Sequence, residues 1–190
     1  MHAFDQRDLA GTELLRLARS SIEYGLVHGQ PLPVRCDRLP PALVEPRATF
    51  ATLRCEGELR GCCGTLEATH PLAESVASSA FRAAFRDPRF RPVRQDELGG
   101  IRLEVSVLSP LEPIPCTDEE DLLSRLVPGE DGLVIVAEGR QATFLPKVWG
   151  SLPDPGQFLA RLKAKCGLPA DYWSDSLAFR RYRTTSYADD

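Results

Sequence analysis

Histidine is scarce in this chain, with three in 190 residues at positions 2, 28 and 70, alongside one methionine and two tryptophans. That restricts the general bases able to titrate near neutral pH and, since the cysteines lack C-x-x-C spacing, speaks against a structural zinc site. No run approaches the roughly 18 apolar residues of a membrane span, so no membrane partner is expected. The opening Met1-His2-Ala3-Phe4-Asp5-Gln6-Arg7-Asp8 lacks the basic-then-apolar layout of an export signal, which predicts a cytoplasmic protein. In a reducing compartment the six cysteines, at 36, 55, 62, 63, 116 and 166, read as thiols and not as a disulfide framework. A basic surplus is also missing. The 23 Lys and Arg against 27 Asp and Glu give a net charge of -4. No nucleic-acid partner is expected, and Phe179-Arg180-Arg181-Tyr182-Arg183 reads as a solvated strand edge. Dinucleotide and P-loop fingerprints are absent, because the glycines around position 62 are few and no lysine follows them. No cofactor is assigned.

The remaining pattern is that of a globular α+β protein, expected to form one domain over 1–190 with 31–70 as the stretch able to form a small subdomain. Leu14, Leu15, Ala18, Ile22 and Leu26 recur at helical spacing until Gly29 and Pro31 stop them. Five prolines between 31 and 47 predict an extended connection. The segment 48–55 and the strand from Leu59 onward flank Glu56-Gly57, which predicts a β-hairpin carrying Cys62 and Cys63. A helix from Pro71 follows, ended by Asp87-Pro88. Ile101, Leu103, Val105 and Val107 alternate with polar residues as a half-buried strand does. A capping box at Thr117-Asp118-Glu119-Glu120, a second hairpin around Glu138-Gly139-Arg140, a helix from Asp154-Pro155 to a Gly167 cap and a last strand at 177–183 complete the pattern. Hairpins interspersed with helices predict a largely antiparallel sheet flanked by helices.

The chemistry concentrates at Leu59-Arg60-Gly61-Cys62-Cys63-Gly64. In a regular strand Cys62 shares a face with Arg60 and Gly64, whereas Cys63 shares the other with Leu59 and Gly61. The thiols then point apart, which disfavours a vicinal disulfide or a shared metal, so that Cys62 is the candidate nucleophile and Cys63 a small core residue. On that geometry Arg60 lies roughly 7 Å from Cys62, enough to lower a cysteine pKa by about 0.4 in water and about 1.7 at an effective dielectric of 20. The competing reading is a packed cysteine flanked by bulge glycines. His70 is the nearest histidine in sequence, either a base or simply a residue preceding a helix. Asp87-Pro88-Arg89-Phe90 is either a helix stop or an acid and an arginine on a rigid turn, one orienting a base and the other binding an anion.

The motif Leu59-Arg60-Gly61-Cys62-Cys63-Gly64-Thr65-Leu66-Glu67 resembles the L-R-G-C-I-G hallmark of the AMMECR domain family, known in microbes as protein A of the AmmeMemoRadiSam system. The resemblance continues through Pro71-Leu72-Ala73, Asp87-Pro88-Arg89-Phe90, Glu104-Val105-Ser106-Val107-Leu108-Ser109-Pro110, Thr143-Phe144-Leu145-Pro146, Gly167-Leu168-Pro169 and Arg181-Tyr182. It implies a two-lobed α+β fold with a cleft between the lobes, a motif cysteine at Cys62, and Memo-like and radical SAM proteins as partners. Cys63 stands where the family has isoleucine. Two functions are compatible with this. One is a Cys62-dependent enzyme acting on a small molecule or a protein, with Arg60, Gly61, Gly64, Asp87 and Arg89 at the substrate site. The other is a noncatalytic adaptor that binds a ligand or protein partner.

Overall fold

The computed structural model describes residues 3–189, with side chains from Gly11 onward; Met1 and His2 lie outside the described residues. Helix α1 (Ala3–His28) is followed by Gly29 at φ 69°, a left-handed conformation that ends the helix at glycine as expected. The proline-rich stretch is mostly extended but holds two short helical turns, a 3-10 turn at Cys36–Arg38 and α2 (Pro41–Val44), the latter with proline at its first position. Strands β1 (Thr49–Cys55) and β2 (Glu58–Gly64) form the expected hairpin, its turn made by Glu56 at φ 52° and Gly57 at φ 84°. Next come α3 (Leu72–Phe85), β3 (Ile101–Leu108), the two-residue β4 (Glu112–Pro113) and α4 (Glu119–Arg125). The cap of α4 is Asp118 accepting the Asp121 N–H, one residue later than the expected Thr117 box. Strands β5 (Gly132–Ala137) and β6 (Arg140–Phe144) make the second hairpin. Then α5 (Pro155–Lys165) starts at the Asp154 cap, and β7 (Ala178–Tyr182) and β8 (Thr184–Ala188) close the chain.

The fold is α+β, with two four-stranded sheets where the patterning suggested one. Their orders are β2-β1-β3-β8 and β4-β7-β5-β6. Two compact units carry them: 1–108 with 185–190, and 109–184, so that residues 31–70 lie within the first. In the first unit α3 lies on β1 and β2 and against α1, and the core joins Leu14, Ala18 and Ile22 to Leu53, Val76, Ala80, Leu103 and Val105. Helix α3 approaches closely because its inner face is alanine and serine, with Ser75 and Ser79 both paired to the Thr49 hydroxyl. The second unit has a separate core of Leu122, Leu133, Ile135, Phe158, Leu162 and Phe179, in which Trp149 stacks on Phe158 at 3.8 Å. Among the described residues no helix is long and apolar enough to cross a membrane.

Candidate functional site around Cys62

Strand β2 is an edge strand, so alternate backbone groups have no strand to pair with on its outer side. At Cys62 the turn after α3 takes that place. Asp87 Oδ2 accepts the Cys62 N–H at 2.9 Å, and Arg89 Nη2 donates to the Cys62 carbonyl at 3.3 Å. The turn is itself rigid. Asp87 accepts the Arg89 N–H, and the Arg89 guanidinium grips the same carboxylate through Nε at 2.9 Å and Nη2 at 2.7 Å. Asp87 is 5% exposed, and its pKa falls to about 2, first through the Arg89 side chain and then through the two backbone N–H donors, against the opposing cost of burial. The Asp-Pro-Arg-Phe segment is therefore more than a helix stop: it brings Asp87 and Arg89 into one hydrogen-bonded cluster with Cys62.

Both motif glycines allow close approach. A Cβ at Gly61 would overlap the Ala83 carbonyl oxygen of α3, and one at Gly64 would overlap the Thr49 carbonyl oxygen and the Phe50 ring. Gly61 thus faces α3, as do its cross-strand partner Leu53 and the neighbouring pair Ala51 and Cys63. Cys63 packs against the core as expected, and burial, then Asp87, pushes its thiol pKa up. Cys62 points the other way, toward the face shared by Thr52 and Arg54.

Arg60 departs from expectation. The register jumps from Leu53–Gly61 to Arg54–Leu59, which makes Arg60 the extra residue of a β-bulge and ends the simple alternation that would put it on the Cys62 face. Its guanidinium instead grips Glu97 through Nε at 2.9 Å and Nη2 at 3.1 Å and donates to the Arg91 carbonyl at 2.8 Å. That pair holds the Glu97 carboxyl at about 2. The positive charge expected beside the Cys62 thiol is engaged 37 residues downstream.

On the other face of the sheet a polar row crosses the strands. Cys62 pairs with Thr52, and Thr52 with Glu104. The Thr52 hydroxyl donates to Cys62 Sγ at 3.5 Å, and the Ser106 hydroxyl meets both Glu104 Oε1 at 3.3 Å and the Ser186 hydroxyl at 2.9 Å. Thr52 and Ser106 are buried, while Cys62 and Glu104 are half-buried. Thr52, Glu104 and Ser106 were not singled out as site residues from the sequence. Their signal was polarity at alternate positions of otherwise apolar strands, and it became specific only once the register set them beside Cys62.

His70 is exposed, its Nδ1 within 2.9 Å of the Thr69 hydroxyl. It lines a groove of about 590 Å³ with Ser78 and Arg82, and Cys62 is not among the lining residues. The partner shown for His70 is Thr69, whereas the Cys62 sulfur is met by the Thr52 hydroxyl. Among the described residues no group of three or more His, Cys, Asp or Glu is placed to hold a metal ion, and the six cysteines are free.

Comparison with known proteins bears on the family and the fold. The chain is 38% identical over 168 residues to a protein of Methanothermobacter thermautotrophicus, covering 87% of this chain and 86% of that one. It is 39% identical over 177 residues to a protein of Thermococcus gammatolerans, covering 89% and 84%. Among solved structures, the uncharacterized protein PH0010 from Pyrococcus horikoshii superposes with a TM-score of 0.88 at 33% identity, over 95% of this chain and 91% of that one. The AMMECR1 family model matches residues 15–187, and the chain belongs to the AMMECR1 family.

Proposed function

We propose that this protein is a cytoplasmic cysteine-dependent enzyme in which the Cys62 thiol is the nucleophile. Its substrate is a small molecule or a protein, handled together with Memo-like and radical SAM partners. The observation that carries the reading is the polar row Cys62–Thr52–Glu104, which gives a half-buried sulfur a hydroxyl partner and places a carboxylate directly beyond it. A hydroxyl can both donate and accept, so Thr52 is placed to pass the thiol proton toward Glu104 and then to donate to the thiolate. Asp87 and Arg89 fix the Cys62 backbone from the strand edge, and the outer side of the Arg89 guanidinium, half exposed, is available to a substrate.

One observation favours the adaptor reading. The motif and turn charges assigned to the site are already paired with each other, Asp87 with Arg89 and Arg60 with Glu97, as in a site built for shape rather than reaction. Brief iodoacetamide treatment of the folded protein, followed by mass spectrometry, decides between the two. An enzyme thiol at Cys62 is alkylated first of the six, ahead of Cys36, Cys63 and Cys116, whose pKa values are raised. Finding Cys62 among the slowest removes the nucleophile and leaves the adaptor.

A further inference from the structure

In the β1–β3 register Arg54 lies directly opposite Arg102. Like charges directly opposite each other destabilise a sheet, so the pairing calls for a compensating partner. Among the described residues neither arginine forms an ion pair. Arg54 donates once, from Nη1 to the Gly57 carbonyl at 3.0 Å, which leaves most of its donors free, and both side chains are exposed. The two are also on the reactive face. Arg54 follows Thr52 by two residues on β1, and Arg102 precedes Glu104 by two on β3, while Leu53 and Leu103 between them enter the core.

We infer that Arg54 and Arg102 form an oxyanion-binding pair that holds a carboxylate- or phosphate-bearing substrate with its reactive end toward Cys62, an inference that rests on the reading of Cys62 as the nucleophile. The spacing suits the task. Two residues along a strand and one strand across place the Arg54 backbone about 8 Å from that of Cys62, within the reach of an extended arginine and a small substrate together. Guanidinium groups present planar, paired donors that match carboxylate and phosphate oxygens. The chain as a whole carries a net charge of -4, so two adjacent cations without ion partners are a local feature and not a general basic character. Glu104 is the acidic side chain of the same face, two positions further along β3, where it serves the thiol end of the row.

The test measures modification of Cys62 by two methanethiosulfonates, the 2-sulfonatoethyl anion and the 2-(trimethylammonio)ethyl cation, in the full-length protein and in Arg54→Gln/Arg102→Gln. Each guanidinium at about 10 Å in water changes the local concentration of a monovalent ion about two-fold. The anion-to-cation rate ratio at Cys62 is therefore expected to fall about ten-fold at low salt in the double variant, and the difference to shrink as salt is added. Both positions are exposed and the variant relieves a like-charge contact, so its melting temperature holds or rises. Acetate and inorganic phosphate, compared with chloride at matched ionic strength, identify the oxyanion. Whichever slows the sulfonate reagent in the parent and not in the double variant is the kind the pair holds, and slowing by neither overturns the site. A ratio unchanged by the double substitution, with Cys62 still the fastest thiol, overturns the oxyanion pair alone. If Cys62 reacts with both reagents more slowly than the other thiols, the nucleophile reading fails and this inference fails with it.

Discussion

Asp87 holds Cys62 by its backbone and not by its sulfur: the carboxylate accepts the Cys62 N–H at 2.9 Å from the open side of an edge strand. Arg89, gripping the same carboxylate, completes the contact at the Cys62 carbonyl. The Asp-Pro-Arg-Phe turn thus substitutes for a missing neighbouring strand at one residue. It also leaves the thiol on the opposite face from the core, where the Thr52 hydroxyl meets it.

Acid should weaken this clamp. The Asp87 carboxyl titrates at about 2 in the folded protein against 3.8 ordinarily, so its contribution to stability is complete above about pH 4 and is lost as pH falls toward 2. The difference corresponds to about 2 kcal/mol. Glu97, also held at about 2, adds to the loss in the same window. Asp87→Asn keeps an acceptor for the Cys62 N–H but removes the charge. It is expected to be less stable at pH 7 by up to about 2 kcal/mol and to show a shallower decline between pH 4 and pH 2. Urea unfolding at pH 7, 4, 3 and 2 checks this, and a constant gap between parent and variant across the series would contradict the assigned titration.

Gly61→Ala should be severe although it adds one methyl group. The new Cβ meets the Ala83 carbonyl oxygen, which is helix backbone and cannot rotate aside. Strand and helix must separate, at a cost of about 3 kcal/mol. Gly57→Ala tests a different cause. No atom stands in the way of that Cβ, and the cost of about 1 kcal/mol arises from φ 84° alone. Denaturant midpoints that rank the two variants in the opposite order would count against the close helix approach.

Local pattern made much of this fold legible. The alternation from Ile101 to Val107 marks β3, Glu56-Gly57 and Glu138-Gly139 mark both hairpin turns, and Asp154 and Gly167 mark the ends of α5, because each feature is set by near neighbours. The direction of Cys63 toward the core was legible for the same reason. The Arg60 bulge was not, since alternation assumes a regular ladder, and the partner Glu97 that holds Arg60 is 37 residues away. Nor was β8, whose pairing into the first sheet joins the end of the chain to its first half, with Asp189 bonded to Leu103. The division into two sheets depends on such pairings, and strand patterns do not name their partners.

Lys163 offers a test in the second unit. The side chain is fully buried, its ammonium bonded to Glu119 and to the Ala170 carbonyl at 3.0 Å, and 5.8 Å from the Trp173 ring centre. Truncation to alanine removes the packing as well as the charge and should cost about 3 kcal/mol. Lys163→Met keeps most of the volume and removes the charge from a dry site, so it should recover at least half of that loss. Thermal unfolding of the two variants decides: equal losses would mean that the ammonium contacts, and not the methylene stem, hold this loop.

The decisive substitutions lie one residue apart. Cys62→Ser preserves size while replacing the thiol by a far weaker nucleophile, so a nucleophilic role is lost and a packing role is nearly conserved. The melting temperature should therefore change little, because the sulfur is half-buried and the clamp from Asp87 and Arg89 acts on the backbone, which serine retains. Under the proposed function, the output that depends on this protein alongside Memo-like and radical SAM proteins should fall to background. Cys63→Ile makes the opposite trade. It enlarges a side chain that packs against the α3 side of the sheet, at a cost of about 1 to 3 kcal/mol, and should leave the output intact at equal protein abundance. Full output from Cys62→Ser would place the thiol among packing residues and make ligand or partner binding the function of this face; loss of output from both variants in proportion to stability would do the same.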